Sequence, residues 1–208
     1  DDREKEKPSN LLILSKKPDE RKNYIILPER GDRPDLLIAK TRLSYDDEVK
    51  RAATILDLKS KNTAKDLYGN PFLGDINHDD ALKLTKALNG FALNLREFQE
   101  VGCLLREGLL GNKKIYDSSG SIVDIKEVER IYEDIFKAAK PSRAELLDTR
   151  FDFEKTGFFK SQYNITYHKF DSSGNRIEVK EILDPDTLMK NKIQGINLED
   201  WLNNPTSQ

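Results

Sequence analysis

His78, His168 and Cys103 are the side chains of this 208-residue chain best suited to acid–base, nucleophilic or metal chemistry, and they do not cluster. The two histidines lie 90 residues apart, and there is a single cysteine, a single methionine and a single tryptophan. Zinc sites, thiol nucleophiles and histidine bases need such side chains brought together with partners. The sequence has no glycine-rich phosphate loop, no histidine pair at zinc spacing and no hydrolase serine elbow. The reading leans against an enzyme: no catalytic or metal residue is assigned, and no cofactor or small-molecule ligand is expected.

Two acidic patterns approach known metal chemistry and then depart from it. Asp75-Ile76-Asn77-His78-Asp79-Asp80 begins with the alternating oxygen ligands of a calcium loop. Its sixth position is Asp80 where the turn needs glycine, and its twelfth is Lys86 where a bidentate Glu should close the shell. Capping of the following helix is the simpler role. Pro34-Asp35 followed by Glu48-Val49-Lys50 matches on paper the acids and lysine of a restriction-type nuclease, which hold Mg²⁺ and activate water. Glu48, however, falls in the first turn of a helix, not on a strand. A Mg²⁺-dependent hydrolase or nuclease built from carboxylates is the alternative reading, because 37 acids offer many pairs.

The aromatic residues are unevenly placed. Phe151, Phe153, Phe158, Phe159, Tyr163, Tyr167 and Phe170 crowd into one strand-rich stretch. Burial as a core is the first expectation for them; a protein interface or a platform for stacking bases are the others. The charges nearly cancel at a formal net −2, which argues against a nucleic-acid or anionic-membrane partner. Single-stranded nucleic-acid binding therefore ranks third. The leading expectation is a non-enzymatic scaffold or protein-interaction module that engages a protein partner or itself. Phe158, Phe159 and Trp201 are the candidate interface residues, since large aromatics anchor such contacts.

One cysteine precludes an internal disulfide, and the longest apolar run, Leu11 to Leu14, falls far short of a membrane span. A cytoplasmic protein without a membrane partner is expected. The start at Asp1, which is no initiator methionine, suggests a trimmed or processed chain, and the linker-like Asn203-Asn204-Pro205-Thr206-Ser207-Gln208 suggests the N-terminal part of a larger or oligomeric protein.

The elements that must position these residues follow from capping and periodicity. Residues 1–9 read as a disordered arm, and residues 10–183 as a single α+β domain. Within it, a β ribbon over 10–43 carries runs at Leu11–Ser15, Asn23–Leu27 and Asp35–Leu43, with docking on the later sheet as one arrangement. A helical part over 44–139 contains about four helices expected to form a central set. Their caps are the Ser44–Glu48 stretch, Asn77 and a capping box at Asn94-Leu95-Arg96-Glu97, with a loop over Asn62–Gly74 between the first two. The fourth helix, from Ile125 to Ala139, carries Val128, Ile131, Tyr132, Ile135 and Phe136 as an apolar stripe. A β part over 140–183 supplies an antiparallel sheet or hairpins. Short helices around Asp184-Pro185 and Asn197–Asn203 and a tail complete residues 184–208. Tyr116-Asp117-Ser118-Ser119-Gly120 and Phe170-Asp171-Ser172-Ser173-Gly174 share one plan and read as two hairpin turns. His168 is expected on the strand face opposite Tyr163 and Tyr167, and Cys103 as a small buried hydrophobe.

Overall fold

Alternation decides the first ribbon. In β1 (Tyr24–Leu27) Ile25 and Leu27 point inward, and in β2 (Leu36–Ala39) Leu36 and Ile38 do the same. Antiparallel register sets Ile25 against Ile38 and Leu27 against Leu36, so one face is apolar. The computed structural model describes residues 20–58, 63–65, 69–74, 76–136, 147–158 and 161–183. The expected Leu11–Ser15 strand, Phe159, Trp201 and the helices after Asp184 lie outside the described residues.

The ribbon docks on helices rather than on the later sheet. Its apolar face meets α3 (Leu95–Leu109) and α4 (Ile125–Phe136), where Val101, Leu104, Leu105, Val128 and Ile131 join it in one buried cluster. The free edge of β1 takes the 116–118 segment instead: Ile26 N–H donates to Tyr116 O at 2.9 Å, and Ser118 N–H to Tyr24 O at 3.0 Å. Edge amides are thereby paired by a segment that the sequence marked only as one arm of a local hairpin turn.

A second apolar cluster gathers Val49 of α1 (Asp47–Ile55), Leu58, Leu73 and Leu84 of α2 (His78–Ala87). The helices thus pack as two pairs, α1 with α2 and α3 with α4, each with its own cluster, and not as the single central set expected. The stretch read as a loop also holds a hairpin, β3 (Thr63–Lys65) with β4 (Pro71–Leu73). Three-residue strands, one of them beginning at Pro71, leave too little alternation to be recognised.

Local chemistry fixes the helix starts. The side chains of Asp46, Asn77 and Asn94 accept from the backbone N–H of Val49, Asp80 and Glu97 respectively. At α3 the Glu97 carboxylate reaches back to Asn94 N–H at 2.8 Å and closes the capping box. Each such cap contributes about 0.5–2 kcal/mol. Near its end α3 passes so close to Ile115 that a Cβ at Gly108 would meet Ile115 Cδ1 at 2.5 Å.

The C-terminal sheet is a meander of β5 (Arg150–Lys155), β6 (Ser161–Phe170) and β7 (Arg176–Leu183), in that order and antiparallel throughout. Among the described residues the fold is therefore α+β, with four α-helices and three small antiparallel sheets.

The two Asp-Ser-Ser-Gly turns are superimposable in their bonding. Asp117 Oδ1 accepts from Ser119 N–H (2.9 Å) and Ser121 N–H (3.0 Å), as Asp171 Oδ1 does from Ser173 N–H (2.9 Å) and Asn175 N–H (2.8 Å). Gly120 and Gly174 each close the turn at positive φ. Burial works to raise the pKa of Asp117, but the Ser119 hydroxyl, the Ser121 and Ser119 amides and nearby Lys40 together hold it below its ordinary value. A depressed carboxylate adds stability above its unfolded pKa, and that stability is lost as pH falls through the folded pKa. An Asp117→Asn variant keeps the acceptor oxygen without the charge. Its urea midpoint is expected to fall less than that of the parent between neutral pH and about pH 3, below the ordinary Asp pKa of about 3.9.

Candidate functional site

Arg176, the first residue of β7, is the hub of the polar side chains the fold brings together. Its guanidinium donates to Glu97 Oε1 at 3.0 Å, to Asp148 Oδ2 at 2.9 Å and to the carbonyl of Ala92 at 2.9 Å. Its Cζ lies 4.2 and 5.3 Å from the ring centroids of Phe91 and Phe170, which themselves meet edge to face at 6.1 Å. Asp148 Oδ1 then meets His168 Nδ1 at 2.9 Å, while Asn94 Nδ2 donates to the His168 carbonyl at 2.8 Å. Backbone bonds from Asp148 N–H to Leu93 O and from Leu95 N–H to Thr149 Oγ1 reinforce the seam. Sheet and helix α3 are bolted together here.

A buried carboxylate orienting a histidine is also the geometry of a general base. In this seam the second oxygen of Asp148 is held by Arg176, which Glu97 shares, so the carboxylate is committed to the ion-pair network. Among the described residues no hydroxyl or thiol bonds His168 Nε2, and no group of three His, Cys, Asp or Glu side chains is placed to hold a metal ion. The arrangement is suited to fastening.

Two further seams repeat the logic. Glu100, also on α3, accepts from Arg30 (3.1 Å), Arg33 (2.9 Å) and Arg96 (3.2 Å), which ties the β1–β2 loop to the helix. Lys40 and Arg42, just after β2, reach Glu127 and Asp134 of α4 at 3.2 and 3.5 Å. Glu97 and Glu100 are consequently buried although both are acids. Arg176, Arg30 and Arg33 lie far from them in sequence, and capping of α3 by Glu97 was the one legible signal.

His78 opens onto a groove of about 520 Å³ lined by Asn77, Asp79, Asp80, Lys83 and Arg150. Its Nε2 faces the Leu147 carbonyl at 2.6 Å and so carries the proton. Lys83 pairs with Asp80 at 3.7 Å and Arg150 with Asp152 at 2.9 Å, leaving the groove charge-balanced. Of the calcium-like stretch, Asp75 lies outside the described residues and Asn77 caps α2, its side chain accepting from Asp80 N–H. Of the nuclease-like residues, Asp35 accepts from Glu29 N–H at 2.6 Å and Glu48 lies in the first turn of α1. Cys103 is half-buried on α3 rather than fully enclosed.

The other face of the C-terminal sheet is where the aromatics go. Strand alternation puts Phe151, Phe153, Tyr163, Ile165, Tyr167, Ile177 and Val179 together, opposite Asn164, His168 and Phe170. The expectation of a core holds for Phe170, which packs on the first cluster. It fails for Phe151, Phe153 and Tyr163, which remain 56, 53 and 43 % exposed. Phe153 and Tyr163 pack ring to ring at 5.2 Å, and Ile177 adds apolar surface at the far end. Phe158, chosen from the sequence, stands fully exposed in the β5–β6 turn. The alternation of Phe151 and Phe153 is as good a sign of an inward face as of an outward one.

No helix among the described residues is long and apolar enough to cross a membrane. No protein-family model, no curated protein and no solved structure matches the chain.

Proposed function

We propose that this protein is a non-enzymatic protein-interaction module whose contact surface is the aromatic face of β5 and β6. One observation carries the reading: Phe151, Phe153 and Tyr163 sit side by side on one sheet face with about half of each ring exposed. Apolar area of this kind, left uncovered by a chain that buries Glu97 and Glu100 in ion pairs, is characteristic of a contact site. Aromatic rings also dominate the energetics of such contacts. The ionisable groups the fold assembles support the same view, since Arg176, Glu97, Asp148 and His168 are engaged with one another.

Photo-crosslinking tests it. A benzophenone analogue of phenylalanine placed at position 153 is expected to give discrete protein adducts in cells expressing the chain. The same group at Ile55, which is 78 % exposed but lies on α1, should give none. Equal labelling from both positions would sink the reading.

A further inference from the structure

β5 is an edge strand with unspent hydrogen-bonding capacity. It pairs with β6 on one side only, and among the described residues no backbone group of Arg150–Lys155 bonds to anything on the other. An open edge of this kind is a template for another strand. The sequence Arg-Phe-Asp-Phe-Glu-Lys then decides which strand fits.

We propose that the occupant is a second copy of this chain, β5 pairing antiparallel with β5 about a two-fold axis at Asp152. The inference rests on the interaction-module reading and names its partner. In that register Arg150 of each copy faces Glu154 of the other, and Phe151 faces Phe153, each pair occurring twice. Opposite charges and aromatic pairs directly across an antiparallel ladder are the favourable cross-strand combinations. Phe153 already touches Tyr163 at 5.2 Å, so the two aromatic faces merge into one surface across a six-stranded sheet. Like charges meet only at Asp152 on the axis, and each of these carboxylates has Arg150 at 2.9 Å.

Neighbouring registers are poorer. An axis at Phe153 sets Asp152 against Glu154 twice, and an axis at Phe151 pairs only residues 150–152 of β5. The opposite edge of the sheet is poorer too. A β7–β7 pair centred on Val179 sets Glu178 against Lys180, but it faces Ile177 with Glu181 and Ile182 with an Arg176 already committed to Glu97 and Asp148. Such a contact is isologous and closes on itself, which limits it to a dimer.

The register makes a specific demand on charge. Glu154→Arg places Arg against Arg150 twice, and Arg150→Glu places Glu against Glu154 twice, so each variant alone should dissociate. Mixed together, the two restore both opposite-charge pairs. Light scattering of the full chain over micromolar to several hundred micromolar should show the parent approaching twice 23.9 kDa. Each single variant should raise the dimer dissociation constant about tenfold or more, and the equimolar mixture should recover the parental value. Both positions are exposed, so circular dichroism is expected to show unchanged folds. A monomeric parent across this range overturns the self-pairing, and the position-153 crosslinks then tell what else is wrong. Adducts of other mass would keep the interaction reading, an intramolecular adduct would assign the edge to a segment of the same chain, and no adduct would remove both. A dimer indifferent to the charge reversals overturns the β5 register.

Discussion

Replacing Arg176 with methionine is expected to cost about 3–5 kcal/mol of folding stability, the range for breaking a buried ion pair by removing one partner. The loss comes less from the missing attraction than from what remains. Glu97 and Asp148 are 2 and 7 % exposed, and both would keep a charge without a cation to compensate it. The Ala92 carbonyl would lose its donor as well, and the rings of Phe91 and Phe170 would lose the cation they share. Urea titration followed by circular dichroism reads the effect directly. A companion variant discriminates the cause: Glu97→Gln added to Arg176→Met removes one orphaned charge and should recover part of the loss. If Arg176→Met alone costs less than about 1 kcal/mol, the value of a surface pair, the seam is not what holds the sheet to α3.

The second large effect belongs to the apolar clusters. Leu105 is fully buried between the first ribbon and α4, and Leu105→Ala should cost about 2–5 kcal/mol through lost transfer energy and the cavity left behind. Leu84, 2 % exposed in the second cluster, should cost a similar amount when truncated. Comparing the two variants also tests the proposal of one α+β domain over residues 10–183. In a single cooperative unit both substitutions move one common unfolding transition. Two transitions, each moved by only one of the variants, would divide the chain between its clusters.

What the sequence disclosed was governed by distance along the chain. The caps at Asp46, Asn77 and Asn94 act within three residues, and the turns at Asp117 and Asp171 within four, so all were readable. The stripe of Val128, Ile131, Tyr132, Ile135 and Phe136 was equally plain, because helical periodicity is a local property. The β6 and β7 pairing followed from the turn between them. Legibility ended where partners are remote. Nothing near Glu97 or Glu100 announces Arg176 or Arg33, which lie 79 and 67 residues away. Docking of the first ribbon on α3 and the 116–118 segment was hidden for the same reason. The exposure of Phe151 and Phe153 was ambiguous in another way: alternation tells which residues share a side of a sheet, and only tertiary packing tells which side is covered.

The remoteness of Arg176 bears on how this chain is made. Ribosomes add about 5–20 residues per second, and domains begin to fold as they emerge. The 79 residues between Glu97 and Arg176 therefore correspond to a delay of about 4–16 s. For that interval the nascent helix carries an acid whose final cation does not yet exist. Its amino end must stay hydrated until the β6–β7 hairpin arrives, so completion of this seam is timed by elongation and not by the intrinsic speed of helix formation.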